Sequence, residues 1–387
     1  MIKVLLRDLN PKTDLALFHE AHSDRNSMKY YGMLPCQSIT ESQELMNSYI
    51  RSMEECKSIH KVICNMETGE YMGEKGLFNI NAKHKRAESY SILLPKHRGK
   101  GVSGIVSGIF SKTIYSTTDF NRIEAMADAR NLSAANSLRR IGYRYEGRLR
   151  GYERSIDGYN DMDVFSKTRE DFLTDNANSA TVDDISCFEG RGFKELLDIE
   201  CADCPQMVIC DAPYESLDTE RILLRKHSED DKESYFRMMA NGDVVRYYGR
   251  SPMMSREDVE HDYTKMNYLH NIGNTTRYAV IEKKTHEYVG TVGIRYDNKN
   301  KKGTLSCVID QPYWNRGIAS EAISTLANYM FVDGKYHRLQ VFVDPRNKRA
   351  QNFFNKMGFT KEATLRQYEL ENYNFIDLII MSKLSSE

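Results

Sequence analysis

The chain carries almost no surplus of charge: 54 Lys and Arg stand against 55 Asp and Glu, a formal net charge of −1. A nucleic-acid binder would show a clustered basic excess, and a short run such as Lys96–Lys100 is what a solvated face carries, so no nucleic-acid partner is expected. No apolar run approaches the ~18 residues of a membrane span. The apolar part of MIKVLLRDLN is also too short for a secretory leader. The expectation is a cytoplasmic protein with no membrane partner. Eight cysteines in 387 residues are too few for a disulfide scaffold, and Cys36, Cys56, Cys64 and Cys307 are expected as reduced thiols. Only IECADCPQMVIC spaces three of them, Cys201, Cys204 and Cys210, like part of a metal knuckle. A fourth ligand is missing, Cys187 is distant and no histidine pair lies nearby, so no metal site is expected.

What is present is ordinary core material, 40% hydrophobic and 28% charged, in a chain too long for one core, since single cores stop growing near ~250–300 residues. Two or three domains are expected, and the chain repeats itself. VLLRDL at 4 answers ILLRKH at 222, YYG at 30 answers YYG at 247, and YMGEKG at 71 answers YVGTVG at 288. From position 98 onward the register is fixed: Ile123 matches Leu339, Asp128 Asp344, Asn131 Asn347, Gly142 Gly358, and Asp161 Asp377. A period this long implies duplicated domains rather than a solenoid. The partition is 1–170, a bridge at 171–217 whose DNANSATVDD stretch has linker composition, and 218–387.

Each copy follows one plan. A short strand opens (Val4–Leu6; Ile222–Leu224), and a polar, amphipathic helical region follows. KVIC and YMGEKGLF, or RYAVIEK and YVGTVGIRY, then alternate as antiparallel hairpins do. Next comes a bare loop, HRGKGVSG at 97 or YWNRGIAS at 313. Beyond it apolar residues fall at 102, 105, 106, 109, 110 and 114, or at 319, 322, 323, 326, 327 and 330, which is helical spacing. Ile123, Ala125 and Ala127, mirrored by Leu339, Val341 and Val343, alternate as a strand. Asn131 and Asn347 stand where a helix N-cap is wanted, Gly142 and Gly358 where a C-terminal glycine is. The fold class is α/β of the mixed α+β kind.

A glycine loop that opens a helix is an anion site, because unpaired amides converge there with the positive end of the helix dipole. A phosphate-bearing cofactor is the natural guest, and a plain chain turn is the alternative; the duplication favours a ligand. Gly99, Gly101 and Gly104 spell G-x-G-x-x-G with Asp119 twenty residues on, which raises a dinucleotide site. Against it, Pro95–Arg98 separate the loop from its strand, antiparallel hairpins precede it, and the second copy keeps only Gly317. A P-loop lacks its Gly-Lys-Ser/Thr.

RGKGVS (98–103) and WNRGIA (314–319) resemble the acyl-CoA pyrophosphate loop of the GNAT acetyltransferase superfamily, and YWNRGIASEA is similar to the form found in its RimJ/RimL-like, ribosomal-protein N-terminal acetyltransferase branch. NLSAANSLRRIGYRYEG with GYND, and NKRAQNFFNKMGFTKEA with NFID, carry the resemblance onward through both halves. It implies two tandem domains, each a mostly antiparallel sheet splayed at its centre and flanked by helices, with acetyl-CoA or another acyl-CoA as cofactor. By resemblance the amides of Arg98, Gly99, Lys100, Gly101, Val102 and Ser103, and of Asn315, Arg316, Gly317, Ile318 and Ala319, hold the pyrophosphate. Asn131 and Asn347 reach the pantetheine, and the backbone of Tyr90–Leu93 and Cys307–Asp310 polarises the thioester. Glu153 and Glu369 fall where the branch places a catalytic glutamate, to act as bases through a water; a solvated strand-edge glutamate is the competing role. The family's usual acids are absent, since the positions hold Leu138, Phe354, Ala134 and Ala350. Ser133 or Ser137 could substitute in the first copy, and only Gln351 and Asn352 lie nearby in the second. Tyr30, Tyr31, Tyr247 and Tyr248 fall where the fold builds its acceptor pocket, with core packing as the alternative role.

The function implied is acetyl transfer from acetyl-CoA to a primary amine: a peptide N-terminus, an amino sugar or a small metabolite. The competing class is an acyl-CoA-binding sensor in which one or both domains do not turn over, with a dinucleotide oxidoreductase behind both. The sequence leaves the oligomeric state open.

Overall fold

A computed structural model describes residues 3–155, 158–177 and 215–387; Cys187, Cys201, Cys204 and Cys210 lie outside the described residues. The described chain groups into two compact units: one holds the N-terminal half together with Leu365–Leu370, the other the C-terminal half without them.

In the first unit β1 (Val4–Asp8) leads into helices α1 (Leu15–Ser23), α2 (Arg25–Met28) and α3 (Ile39–Glu54). The meander β2 (Ile59–Asn65), β3 (Tyr71–Asn81), β4 (Arg86–Leu93) follows, then α4 (Val102–Thr117), β5 (Arg122–Asp128), α5 (Leu132–Arg140), the hairpin β6 (Arg144–Ser155) and β7 (Gly158–Thr168), and α6 (Arg169–Ala177). Strand order is β1-β2-β3-β4-β5-β7-β6. Alternation sorts side chains between two cores. Leu6, Ile63, Leu77, Ala87 and Ile123 pack under α4 and α5, while Val62, Cys64, Tyr71 and Ile92 pack under α1 and α3. The apolar stripe expected after the glycine loop is the buried face of α4, with Val102, Val106, Ile109, Phe110 and Ile114 inward.

The second unit repeats the plan. After β8 (Leu217–Asp218) come β9 (Ile222–Arg225), α7 (Lys232–Ala240), α8 (Gly242–Val245), α9 (Arg256–Asn271), β10 (Thr275–Glu282), β11 (Glu287–Asp297) and β12 (Lys302–Ile309). Then follow α10 (Ile318–Val332), β13 (Arg338–Val343), α11 (Lys348–Lys356), β14 (Thr360–Glu371) and β15 (Asn374–Leu384). Here the helix stripe begins one residue earlier than the spacing predicts: Ile318 is buried, and Ala319 packs only partly against the core.

One departure from a continuous sheet shapes each unit. β4 and β5 run parallel and pair at only three positions, Arg86–Arg122, Ala87–Ile123 and Glu88–Glu124, and then part. β12 and β13 do the same at Lys302–Arg338, Gly303–Leu339 and Thr304–Gln340. A buried guanidinium anchors each fork. Arg122, with no exposed side-chain surface, binds Glu124 and Glu146 at 2.9 and 2.6 Å; Arg338, equally buried, binds Glu362 at 2.6 Å. Beyond the fork, Ser89–Leu93 and Leu305–Ile309 keep their outer partners on β3 and β11 but none on β5 or β13. An unpaired strand edge is a template for an extended amide chain.

Candidate active site

The glycine loop closes the mouth of each fork. In the first unit a 3₁₀ turn at Pro95–His97 is followed by Arg98 in extended conformation, then Gly99 at φ 71° and Gly101 at φ 80°, both left-handed. The second unit keeps this backbone: a turn at Gln311–Tyr313, extended Trp314, Asn315 at φ 64° and Gly317 at φ 79°. Asparagine is one of the few side chains that tolerates this region, which explains how the second copy dispenses with a glycine. Gly101 and Gly317 are the N-caps of α4 and α10, and neither helix start has a side-chain cap. The first-turn amides, those of Val102 and Ser103 or of Ile318 and Ala319, therefore face outward with the helix dipole behind them. A Cβ built on Gly99 or Gly101 meets nothing within 4 Å, so internal crowding does not demand these glycines; backbone dihedral and open approach do. The literal dinucleotide match dissolves: Gly104 lies inside α4, and Asp119 pairs with Lys85 at 2.8 Å.

Both loops are latched alike. Arg98 Nε donates to the carbonyl of Leu93, the last residue of β4, at 3.0 Å. Trp314 Nε1 donates to the carbonyl of Ile309, the last residue of β12, at 2.6 Å. Two chemically different side chains thus fix loop to strand end. The second loop has cations the sequence reading missed. Arg221 bonds the Arg316 carbonyl at 3.0 Å and the Glu321 carboxylate at 2.6 Å, and its Nη2 would lie 3.2 Å from a Cβ on Gly317. Arg349 bonds Asn315 Oδ1 at 3.1 Å and stacks over Trp314 at 4.5 Å.

Asn131 and Asn347 are helix caps, accepting from the amides of Ala134 at 3.1 Å and Ala350 at 2.9 Å. The usual acid positions hold core residues: Phe354 is buried, and Leu138 and Ala134 pack against the first core. Gln351 spends its amide on the carbonyls of Asp344 and Pro345.

Glu153 and the Tyr30–Tyr31–Gly32 turn come together. A Cβ on Gly32 (φ 57°) would stand 1.9 Å from the Glu153 carboxyl carbon, so the carboxyl lies directly on the turn. Tyr30 sits under the Lys29 ammonium at 5.5 Å. Burial pushes the Tyr31 phenol pKa up, the charge of Glu74 pushes it further, and Arg98 opposes. Glu369 lies on β14 within Leu365–Leu370, the stretch that groups with the first unit. In the second unit Tyr247 faces the Arg346 guanidinium at 5.7 Å, and Tyr248 Oη accepts from Arg277 Nη2 at 2.5 Å.

The buried polar groups on the sheet of each unit were not legible from the loop motifs. Glu74 on β3, fully buried, accepts from Tyr71 Oη at 2.5 Å and meets His22 Nε2 at 3.2 Å. His60 binds Tyr90 Oη at 2.6 Å, and burial, with help from His22, pushes its pKa down to about 3. At the matching ladder positions the second unit has Thr291 and Arg277: Glu74 and Thr291 are each followed two residues on by the glycine that faces His60 (Gly76) or Arg277 (Gly293). Burial raises the Cys307 thiol, on the diverging end of β12, to about 12 and keeps it protonated.

A family model described as "Acetyltransferase (GNAT) domain" matches the chain twice, over residues 3–144 and 221–360. The chain belongs to the GNAT acetyltransferase family. Among relatives of this GNAT chain, an uncharacterized N-acetyltransferase, p20 of Bacillus licheniformis, is 29% identical over 174 residues, 45% of this chain and 98% of its own length. The spermidine N(1)-acetyltransferase of Escherichia coli K12 is 27% identical over 146 residues, 38% of this chain and 75% of its own. The crystal structure of spermidine N-acetyltransferase from Vibrio cholerae in complex with CoA and spermine is 24% identical. It covers 44% of this chain and 98% of its own, with a TM-score of 0.40. The protein is thus a GNAT-family N-acetyltransferase with the domain present twice. No helix among the described residues is long and apolar enough to cross a membrane.

Proposed function

We propose that each unit, 1–170 and 218–387 with 171–217 as the bridge, transfers the acetyl group of acetyl-CoA to a primary amine in the cytoplasm. One observation carries the reading: twice in the chain, two parallel strands part after three pairs, and the gap opens onto a left-handed loop and an uncapped helix start. That combination fits a guest with a diphosphate at one end and a chain of amides behind it.

Acetyl-CoA supplies the activated acyl carbon. Amides at 98–103 and at 315–319 hold the diphosphate, and the free edge of β4 or β12 bonds the pantetheine amides, with Asn131 or Asn347 at the far wall. A backbone N–H among Tyr90–Leu93, or Cys307–Asp310, polarises the thioester carbonyl. Glu153 takes a proton from the incoming ammonium through a water, and its carboxyl beside the Tyr30–Gly32 turn puts that step where the amine enters. The amine nitrogen bonds the carbonyl carbon, the C–S bond breaks, the nitrogen gives up its second proton to water, and the departing thiolate is protonated by solvent. No acid on α5 or α11 is required, because a thiolate is a tolerable leaving group. Glu369, Tyr247 and Tyr248 are the corresponding residues of the second copy.

The test joins a calorimetric count of CoA molecules per chain to an assay of thiol release across an amine panel. Two CoA per chain with sustained, amine-dependent release is the expected result. Tight binding with no turnover would replace the enzyme by a sensor, and no CoA binding would end the reading.

A further inference from the structure

The two units share a backbone here but differ in charge at one pair of ladder positions. In the first unit the pair on β2 and β3 is His60 and a fully buried carboxylate, Glu74. In the second the same two ladder positions are Arg277 and a neutral hydroxyl, Thr291. A pocket that loses an acid and gains a guanidinium changes the sign of the ligand group it stabilises.

Arg277 has no carboxylate within ion-pair distance among the described residues; its side-chain hydrogen bond goes to the phenol of Tyr248. The acid nearest in effect, Asp262, is already bonded by Arg250 at 2.5 Å and by Tyr235 Oη at 2.8 Å. Arg277 lines a small cleft, partly open to solvent, together with Lys226, His227, Tyr263, Met266 and Asn267. Two further polar groups there await partners. Tyr263 Oη is buried without one, and so is His227 Nδ1. The Thr291 hydroxyl donates to the Tyr278 carbonyl at 3.0 Å, so its oxygen accepts from His227 Nε2 at 3.3 Å. That leaves His227 Nδ1 as a bare lone pair, suited to an N–H donor. A planar guanidinium, a phenol and an imidazole acceptor in one cleft match a molecule that carries both an anion and an amine.

We infer that the second unit takes an amine acceptor bearing an anionic group, carboxylate or phosphate, with Arg277 receiving the anion and His227 Nδ1 an N–H of the amine. This rests on the reading of that unit as an acetyltransferase and narrows its substrate class. The cleft is therefore the specificity determinant that separates the two copies, since the first unit has His60 in the place of Arg277 and Glu74 in that of Thr291.

The experiment is calorimetry on the full chain saturated with CoA, titrated with phosphoethanolamine, β-alanine and, as the neutral control, β-alaninamide. At least one anionic amine should bind roughly 10- to 100-fold more tightly than the amide, the range expected for hydrogen bonds to a charged group. The phosphate and carboxylate arms identify which anion is preferred. Arg277→Gln should abolish the preference and Arg277→Lys should restore part of it, with thermal unfolding checking that each variant is folded. In the unaltered chain, inorganic phosphate should compete with the anionic amine, a readout that needs no variant. Equal affinity for the amide, no binding of any of the three, or a preference that survives Arg277→Gln overturns the proposal. Discrimination without thiol release would sink acetyl transfer and leave this inference standing; release without discrimination would do the reverse.

Discussion

The Glu153 carboxyl rests on the Cα of Gly32: a methyl group there would stand 1.9 Å from the carboxyl carbon and 2.1 Å from Oε1. Gly32→Ala must therefore move the carboxylate away from the acceptor turn, besides costing roughly 1–2 kcal/mol for a left-handed alanine. Glu153→Gln keeps the shape and removes the base. Both variants should lower turnover of the first unit's amine, the second by about 10²–10⁴-fold, with CoA affinity nearly unchanged. Steady-state kinetics beside calorimetry checks this, and full activity in Glu153→Gln would remove the residue from the mechanism.

In the second loop, Trp314→Phe deletes the N–H that holds the Ile309 carbonyl at 2.6 Å. Gly317→Val forces a β-branched residue into φ 79° with the Arg221 guanidinium 3.2 Å from its Cβ. The first change should weaken CoA binding at one site by a few-fold, in keeping with about 0.5–1.5 kcal/mol for one hydrogen bond. The second should remove one site from the CoA count. An unaltered count in Gly317→Val would place the diphosphate elsewhere.

Lys75 shows what duplication leaves behind. It faces Ser91 on β4, is only 4% exposed, and has no carboxylate partner among the described residues, only the Phe110 ring at 5.4 Å. Burial lowers its pKa to about 8. At the same ladder position the second unit has Val292 facing Cys307. Lys75→Met should raise unfolding stability at pH 7 by about 1–3 kcal/mol, since replacing a buried charge by a packed apolar chain removes its desolvation cost. Urea denaturation measures this, and a lower midpoint would show that the ammonium–ring contact outweighs burial.

Stability should also fall on acidification before the carboxylates titrate. Burial lowers His60 to about 3 and His227 to about 4, from 6.5. Each binds its proton more weakly folded than unfolded, so the unfolded chain is favoured progressively as pH drops from about 6.5 toward those values. Denaturation midpoints between pH 7 and 4 should slope downward, and His60→Gln should flatten part of that slope. An unchanged slope in His60→Gln would mean that this imidazole titrates alike in the folded and the unfolded chain.

Local signals were strong wherever one residue type answers one backbone demand. Gly101 and Gly317 marked the loop that opens a helix, Asn131 and Asn347 announced N-caps, and the apolar spacing from Val102 to Ile114 announced α4. The buried polar groups of the two sheets left no such mark, because they are assembled across strands. Glu74 and His60 are fourteen positions apart, and only the β2–β3 register sets them on one face. Arg277 looks like any strand arginine until Tyr248, far back in the chain, is seen to be its partner. Grouping of Leu365–Leu370 with the first unit is likewise a tertiary fact, invisible to an alignment of the two halves.

The pair Gly99 and Asn315 bears on how such loops are to be searched for and re-engineered. Their φ values, 71° and 64°, are nearly the same although the letters differ. A pattern that counts glycines scores the second copy as degenerate, whereas a scan for the sign of φ finds both. Grafting the loop into another scaffold accordingly means transferring torsions, with glycine or asparagine at that point as interchangeable spellings of one bend.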